Sequence, residues 1–180
     1  MAQLDDFTIR DKDGDNSREA EHPIVIVLDR LRSAYNVGNI FRLAEVCAVE
    51  QVVTCGYTAH PPHPKLAKTA LGTEERVPNV HFATTLDAVT DLRDKGYQII
   101  GIETVENVPP VWEVSLEFPV AFVFGNEALG IEKETLQVCD VIAQLPAFGW
   151  KNSLNVANCA AAVVYQAIRQ FREQPHIQNT

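Results

Sequence analysis

The stretch that decides the fold reads VAFVFGNEALG, from Val120 to Gly130. Its first five residues are all apolar, which is typical of a strand buried on both faces of a parallel sheet. The apolar run stops at Gly125, and Asn126 and Glu127 follow at the carboxyl end of the strand. Ligands of open α/β sheets bind beyond the carboxyl ends of the strands. This turn is therefore either part of a site or a polar start to the next helix.

Strand and helix patterns alternate along the rest of the chain. Short apolar runs predict further strands at 24–28, 51–55, 98–102 and 141–145. Apolar residues at helical spacing predict helices from Val37, from Leu86 to Lys95, at 132–138 and at 155–172. Asn36 and Thr85 are the expected N-caps of the first two helices, and Gly96 follows the second as its C′ residue. The alternation predicts an α/β fold in which a parallel sheet is flanked by helices.

Composition and charge exclude several classes of protein. The chain has 180 residues, of which 46% are hydrophobic and 22% charged, and this excludes a disordered chain, a collagen-like repeat and a coiled-coil rod. The net charge of −9 argues against coating nucleic acid through bulk charge, although it allows a local basic site. No apolar run approaches the ~18 residues that span a bilayer. Because residues 1–21 also do not resemble a signal peptide, we expect a cytoplasmic protein.

Motifs for several other chemistries are absent from the sequence. It lacks Gly-x-Gly-x-x-Gly and Gly-x-Ser-x-Gly, and Gly130 is not followed by the lysine of a phosphate-binding loop. The four cysteines form no Cys-x-x-Cys pair, and Cys47 and Cys159 lie in apolar segments that are typical of a core. His60 and His63 lie among prolines, which predicts a solvated loop. We therefore expect no metal site.

Three segments place polar residues where strands give way to helices. In the first, NVGNIFR at 36–42, Arg42 lies off the apolar stripe and either leans toward the ligand-binding edge or pairs with Glu45. The second is the turn at 124–130. The third, LPAFGWKNSLNV at 145–156, contains Ser153, a candidate N-cap, and Asn155, which begins a helix that is apolar nearly all round. Such a helix is buried by its own chain or by a partner subunit. Taken singly, each segment suits a structural role as well as catalysis.

Together, the three segments resemble the signature motifs of the SpoU/TrmH family of RNA 2′-O-ribose methyltransferases, which belongs to the SPOUT class. The matches are N-x-G-x-x-x-R at 36–42, F-G-N-E-x-x-G at 124–130 and L-P…S-L-N-V at 145–156, while 68–75 resembles the family's K-T-S-x-G segment imperfectly. The resemblance covers residues 24–172. We expect a methyltransferase domain at 23–174, a loose arm at 1–22, a tail at 175–180 and no separate RNA-binding domain.

The resemblance implies a deep C-terminal trefoil knot, a homodimer and S-adenosylmethionine as methyl donor, without a metal. The residues implied to hold the cofactor are Ile102, Glu103, Thr104, Gly125, Asn126, Leu145, Ser153 and Leu154. The residues implied to be catalytic are Arg42, Asn36, Glu127, Ser153 and Asn155. A guanidinium is a poor base, so Arg42 is expected to clamp an RNA phosphate and polarise the 2′-hydroxyl. Asn36 is expected to orient Arg42 or the ribose, and Glu127 to hold the motif loop or a group of the substrate.

The implied substrate is a ribose 2′-hydroxyl of tRNA or rRNA. Five basic residues near the predicted strand ends form a candidate phosphate-binding face: Arg30, Arg32, Arg42, Lys65 and Lys68. Because the chain is acidic overall, we expect this face to bind RNA weakly and in a salt-sensitive way. Two alternatives remain open. One is a knotted protein that binds RNA or S-adenosylmethionine without catalysis, and the other is a dehydrogenase-like nucleotide-binding enzyme, against which the missing glycine fingerprint argues.

Overall fold

A computed structural model describes residues 20–174, whose centre is a six-stranded sheet. The strands are β1 (His22–Asp29), β2 (Val49–Cys55), β3 (Asn79–Phe82), β4 (Gln98–Ile102), β5 (Val120–Phe124) and β6 (Val141–Ala143). Their order is β3-β2-β1-β5-β4-β6, and every neighbouring pair is parallel. The predicted parallel α/β sheet is confirmed, and β4 and β5 have the bounds expected from the sequence.

Helices cover both faces of this sheet. They are α1 (Ala34–Val46), α2 (Pro64–Ala70), α3 (Thr73–Arg76), α4 (Thr85–Asp94), α5 (Lys133–Gln137) and α6 (Val156–Arg172), and a 3-10 turn lies at Val111–Glu113. Alternate residues of β1 divide the core into two layers, because successive side chains of a strand point to opposite faces. Ile24, Ile26 and Leu28 pack in a layer with apolar residues of α1 and α6. Val25 and Val27 pack in the other layer, with residues of α4.

The carboxyl ends of the central strands meet at one edge of the sheet. In the β1–β5 pair Leu28 lies beside Phe124, and in the β4–β5 pair Ile102 lies beside Phe124. Ala143, the last residue of β6, lies beside Ile102 in turn. The segments that follow these strands therefore emerge together, which is the arrangement that forms ligand sites in open α/β sheets.

Three helix starts differ from the sequence prediction. Ser33, and not Asn36, is the N-cap of α1, since its side chain accepts from Asn36 N at 3.3 Å. Thr84, and not Thr85, caps α4, while Thr85 is buried and donates to Asp29 Oδ1 at 2.5 Å. Asn155, and not Ser153, caps α6. Asn36 consequently lies within the first turn of α1, where its side chain is available for the site.

Three short elements were not predicted: β3, α2 and α3. The four residues of β3 form an edge strand whose side chains are mostly exposed, so they lack an apolar alternation. The segment at 60–64, predicted as a solvated loop, leads directly into α2. His63 is its N-cap and Pro64 its first residue, a position at which proline is tolerated. The loop prediction is therefore wrong for the end of that segment, because a proline can begin a helix as well as prevent one.

Helices α1 and α2 lie unusually close together at Gly38. A Cβ built on Gly38 would lie 2.6 Å from Thr69 Cβ and 2.9 Å from Ala70 N. Only a glycine fits this spacing, so α2 is held directly against α1. Cys47, at the end of α1, is buried in the core as predicted.

Other parts of the sequence prediction concern the ends of the chain. The predicted arm at 1–22, apart from residues 20–22, and the tail at 175–180 lie outside the described residues. Within 20–174, no helix is both long and apolar enough to cross a membrane. In the same range, no group of His, Cys, Asp and Glu side chains is arranged to hold a metal ion.

Candidate functional site

A cavity of about 640 Å³ lies at the carboxyl ends of β4 and β5. All eight residues predicted to hold the cofactor line it: Ile102, Glu103, Thr104, Gly125, Asn126, Leu145, Ser153 and Leu154. Glu127 and Asn155, two of the predicted catalytic residues, line it as well. Its charged lining residues are Glu103 and Glu127, so the cavity presents negative charge to a ligand.

The turn after β5 forms one wall of this cavity. A Cβ on Gly125 would lie 2.4 Å from Ile131 N, so the turn can fold back on itself only with glycine at this position. Asn126 is buried, and its Oδ1 accepts from Ala128 N at 2.8 Å and from Leu129 N at 2.9 Å. The shape of this wall therefore depends on the absence of a side chain at Gly125 and on the hydrogen bonds that the buried Asn126 amide accepts.

Glu103 fixes the opposite side of the same turn. Its Oε2 accepts from Ile131 N at 2.9 Å, and its Oε1 accepts from Thr104 N at 2.8 Å. Oε2 thus joins the end of β4 to the turn that follows β5, while Oε1 fixes the carboxylate to the main chain of its own segment. Each oxygen retains acceptor capacity for a donor in the cavity, because a carboxylate offers about four lone-pair sites.

Asn36 connects two other segments at the cavity. Its Nδ2 donates to Glu127 Oε1 at 2.9 Å, and its Oδ1 accepts from Asn155 Nδ2 at 3.1 Å. Hydrogen bonds therefore join three side chains from three distant parts of the chain into one series, Glu127–Asn36–Asn155, which we call the Asn36 line. The sequence predicted all three as site residues, and the structure brings them together.

Glu127 is held as a carboxylate by this line of hydrogen bonds. Partial burial raises the pKa of Glu127, but the hydrogen bonds from Asn36 and from the Arg32 N–H outweigh it, and the net shift is downward. Since the pKa lies below the ordinary glutamate value, Glu127 is ionised at neutral pH. A carboxylate with a lowered pKa is a weak base, so its chemistry here is to orient hydrogen-bond donors.

The segment between β6 and α6 covers one side of the cavity. Ser153 and Leu154 line the cavity and are exposed, and Asn155 accepts from Ala157 N at 3.0 Å as the cap of α6. Within residues 20–174, the Ser153 side chain forms no hydrogen bond, so it does not join the Asn36 line. Phe148 and Trp150 of this segment are 88% and 92% exposed and do not line the cavity, and Lys151 Nζ lies 4.6 Å from the centre of the Trp150 ring.

Arg42 lies outside both the cavity and the Asn36 line. It is on the exposed face of α1, and within the described residues it forms no ion pair with Glu45 or any other acidic residue. In a helix, long side chains lean toward the N-terminus, which for α1 is the edge that carries the site. Its guanidinium is therefore available to a ligand approaching that edge.

The five predicted RNA-binding residues differ in whether their side chains are held in ion pairs or exposed to a ligand. Arg30 donates from Nε to Asp29 Oδ1 at 2.9 Å and pairs through a terminal nitrogen with Glu132 at 2.8 Å. These partners raise the pKa of Arg30, the hydrogen bond to Asp29 most of all. Arg32, Lys65 and Lys68 are exposed and form no ion pair within the described part of the chain. Arg30 thus serves the framework, whereas the other four, Arg42 among them, remain open to phosphate.

Sequence reasoning missed two residues that support the site. Asp29 is completely buried and accepts from Thr85 Oγ1 and from Glu132 N, in addition to Arg30. Tyr57 Oη accepts from Asn126 Nδ2 at 2.7 Å. Asp29 directly follows the buried strand β1, so the strand-end rule that drew attention to Asn126 would have found it as well. No local pattern marks Tyr57.

Cys159 lines the cavity from the second turn of α6. Burial, and next the negative charge of Glu103, raise the pKa of its thiol to about 11. The thiol is therefore protonated at neutral pH. Since the thiolate is the nucleophilic form of cysteine, Cys159 is an inert wall residue.

Comparison with known proteins gives the same assignment as the motifs. Residues 23–165 match the SpoU rRNA Methylase family. The chain is 28% identical over 146 residues to a Staphylococcus saprophyticus protein assigned to the TrmH family of tRNA/rRNA methyltransferases, covering 81% of this chain and 58% of that protein. It is 27% identical over 150 residues to the 23S rRNA (guanosine-2′-O-)-methyltransferase RlmB of Vibrio parahaemolyticus, covering 83% of this chain and 60% of that one. The chain thus spans about three fifths of the length of these curated relatives.

A solved structure provides a further comparison. The SpoU methyltransferase AviRb from Streptomyces viridochromogenes, crystallised in complex with the cofactor AdoMet, superposes with a TM-score of 0.74 at 27% identity. The superposition covers 83% of this chain and 61% of that protein. The shared fold and the family match over residues 23–165 agree with the three motifs, and the chain therefore belongs to the SpoU rRNA methylase family.

Proposed function

We propose that this protein transfers the methyl group of S-adenosylmethionine to a ribose 2′-hydroxyl of tRNA or rRNA. One observation carries the proposal: Asn36 is hydrogen-bonded to both Glu127 and Asn155, which line the cavity, so residues of all three motif segments are joined to one another. Membership of the SpoU family and the AdoMet-bound relative support it. The proposed cellular location follows from the substrates and is the cytoplasm.

The cavity suits S-adenosylmethionine in size, charge and shape. Its volume of about 640 Å³ lies in the range of cofactor sites. The carboxylates of Glu103 and Glu127 complement a sulfonium cation, and Ile102, Leu145 and Leu154 offer apolar surface for an adenine ring. The glycine at position 125 lets the turn after β5 pack directly against Gly130 and Ile131, which sets the shape of the wall that a ligand would meet. When bound, S-adenosylmethionine supplies a methyl group that is already activated for transfer.

The protein's own residues position the ribose and assist loss of its proton. We assign to Arg42 the clamping of an RNA phosphate and the polarisation of the 2′-hydroxyl, with phosphate or water accepting the proton. Asn36 orients the ribose through its fixed amide, while Glu127 keeps that amide in place. Ser153 and Asn155 hold the loop around the methionine end of the cofactor. Positioning of this kind supplies much of the rate enhancement in group transfer.

RNA binding is assigned to the exposed basic residues beside the cavity. They are Arg32, Arg42, Lys65 and Lys68. Arg30, which the sequence placed in the same group, is omitted from this surface because Asp29 and Glu132 engage its guanidinium.

We also propose that the protein is a homodimer. Leu129 at the cavity, Phe148 and Trp150 in the segment between β6 and α6, and Tyr165 on α6 are all exposed large apolar or aromatic residues. A second copy would cover such a group, since clustered exposed apolar residues mark interaction surfaces. Sedimentation equilibrium of the purified protein measures this directly: we expect twice the mass of the chain, and the mass of a single chain would refute the dimer.

The proposed fold includes the deep C-terminal trefoil knot of the SPOUT class. The strand order supports it, because the chain must cross from β5 past β4 to reach β6 at the sheet edge. An experimental structure, traced from 98 to 172, tests the threading of the chain.

Methyl transfer to RNA tests the function itself. Purified protein is incubated with S-adenosylmethionine carrying a labelled methyl group and with bulk tRNA or bulk rRNA from a strain that lacks its gene. We expect label in one of the two RNAs, at a nucleotide whose 2′-O-methyl group is missing in that strain. Tight binding of either ligand without any transfer would favour the alternative of a non-catalytic binding protein.

A further inference from the structure

A second cavity, of about 390 Å³, lies beside the first. It is formed by the residues that follow β1 and β2 and by the start of α2. Its basic lining residues are Arg32 and Lys65, and none of its described lining residues is a carboxylate. In a chain with a net charge of −9, this is a local reversal of charge that favours an anionic ligand.

Aromatic rings form much of the wall of this second cavity. Tyr35 and Tyr57 line it and are 59% and 58% exposed, and His60 and His63 line it as well. The Tyr35 side chain forms no hydrogen bond within residues 20–174. Exposed aromatic faces combined with arginine and lysine are the usual means by which proteins bind unstacked bases of single-stranded RNA.

The wall is fixed before any ligand binds. Thr58 Oγ1 accepts from Leu31 N at 2.9 Å and donates to Leu28 O at 3.1 Å, which ties the loop after β2 to the end of β1. His60 stacks on His81 of β3 with ring centroids 3.8 Å apart. A preformed pocket of this kind loses little conformational entropy on binding.

Two hydrogen bonds join the second cavity to the first. The Arg32 N–H donates to Glu127 Oε2 at 3.1 Å, and Tyr57 Oη accepts from Asn126 Nδ2 at 2.7 Å. Glu127 and Asn126 both line the first cavity. The two cavities therefore share a wall, and a nucleotide whose ribose reaches Glu127 extends toward the second cavity.

Arg42 lies on the same stripe of α1 as Tyr35. The exposed residues Tyr35, Asn39 and Arg42 follow one another at intervals of four and three residues, which places them on one face of the helix. The guanidinium assigned to the phosphate and the ring at the second cavity are thus aligned along a single helix.

We propose, on the basis of the function proposed above, that the second cavity binds one unpaired nucleobase of the substrate RNA. The base stacks on Tyr35, Tyr57 forms the adjoining wall, and Arg32 and Lys65 contact the neighbouring phosphates. His63 supplies a polar contact to the base: its Nδ1 accepts from Leu66 N, so the neutral ring carries its proton on Nε2 and donates from there. The substrate is accordingly RNA in which the nucleotide near the methylated ribose is single-stranded or displaced from its stack.

Replacement of Tyr35 tests this assignment. We expect Tyr35→Leu to weaken binding of bulk tRNA or bulk rRNA about tenfold, because stacking is lost, and to leave binding of S-adenosylmethionine unchanged. Tyr35→Phe keeps the ring and should bind RNA as the wild type does. The matched control is Trp112→Leu, which removes a half-exposed ring that lines neither cavity. Equal RNA affinity for Tyr35→Leu and wild type would overturn the proposal.

Photo-crosslinking provides a readout that does not require catalysis. The probe is bulk tRNA or rRNA in which some uridines are replaced by 4-thiouridine. We expect cross-linked peptides that contain residues 32–35 or 56–65, and cross-links confined to the segment 148–151 would overturn the assignment. If the wild type transfers no methyl group but cross-links at these residues, the proposed function fails and the base pocket stands. If it methylates RNA without such cross-links, the reverse holds.

Discussion

Asn155 donates from Nδ2 to Asn36 Oδ1 at 3.1 Å, and so joins the first turn of α6 to the first turn of α1. The residues are separated by 119 positions in the sequence. Asn155 also caps α6 through its other amide atom, Oδ1, which accepts from Ala157 N. One side chain thus starts a helix and fixes the orientation of a neighbour, and these two roles can be separated by mutation.

The variant Asn155→Asp separates them. Aspartate retains an oxygen to cap α6, so thermal stability should remain near that of the wild type. It cannot donate to Asn36, and we expect methyl transfer to fall about tenfold or more because the orientation of Asn36 is lost. Asn158→Asp, at an exposed position on the same turn, is the control for added charge. Wild-type turnover in Asn155→Asp would remove this residue from the site.

Arg42→Lys tests the role assigned to the guanidinium. Lysine keeps the positive charge but lacks the planar fork of donors, so we expect kcat to fall about tenfold or more. Stability should not change, since Arg42 forms no ion pair within residues 20–174. The comparison is with Arg76→Lys, an equivalent change on the exposed surface of α3. If both variants turned over at the wild-type rate, the clamp assigned to Arg42 would be wrong.

Lys68→Ala tests the phosphate-binding surface through its dependence on salt. Loss of one phosphate contact should reduce by about 1 the slope of the logarithm of RNA affinity against the logarithm of salt concentration. Lys95→Ala serves as the control, because Lys95 lies after α4 and pairs with Asp91 at 2.7 Å. The slope is obtained from binding titrations at several salt concentrations. An unchanged slope in Lys68→Ala would exclude this residue from the RNA-binding surface.

Arg30 and Arg32 are near neighbours with opposite expected phenotypes. Arg30→Ala removes a partner of the fully buried Asp29 carboxylate, and we expect a loss of about 2 kcal/mol in the free energy of unfolding. Arg32→Ala removes an exposed guanidinium, so it should weaken RNA binding and leave stability nearly unchanged. Urea unfolding and RNA titration of both variants distinguish these effects. If Arg30→Ala were as stable as the wild type, the framework role of Arg30 would be refuted.

Gly125→Ala tests the closure of the turn after β5. The added Cβ would lie 2.4 Å from Ile131 N and 2.5 Å from the carbonyl carbon of Gly130, so the main chain must shift. We expect affinity for S-adenosylmethionine to fall about tenfold or more, measured by calorimetry. Gly149→Ala is a matched control, because a Cβ there meets nothing within 4 Å. Unchanged affinity in Gly125→Ala would show that the turn tolerates displacement.

The sequence predicts the central part of the fold well because buried parallel strands are apolar on both faces. Gln98–Ile102 and Val120–Phe124 have the bounds expected from such runs. The edge strand Asn79–Phe82 has no apolar face to reveal it, since it is largely exposed. The helix caps were misplaced by one to three residues because several polar residues precede each helix. Only the three-dimensional structure distinguishes the one whose oxygen reaches the free N–H groups.

The sequence predicts some residues of the candidate site and misses others, for a physical reason. Residues that lie within a motif, such as Glu127 and Asn155, are visible in the sequence because the motif fixes their neighbours. In the sequence Arg30 is one more basic residue, but in the structure its ion pairs with Asp29 and Glu132 give it a structural role. Tyr57 becomes significant only through its contact with Asn126, 69 positions away. Contacts at such separations depend on the tertiary fold, and no local pattern encodes them.

The close contact at Gly38 has a consequence for the proposed RNA-binding surface. Arg42 stands on α1, and Lys65 and Lys68 stand on α2, so the distance between these charges depends on how closely the two helices approach. A larger residue at position 38 would push Thr69 and Ala70 outward and widen that distance without altering a single charge. The spacing of charges on the proposed RNA-binding surface is therefore adjustable from within the protein, by the buried position 38.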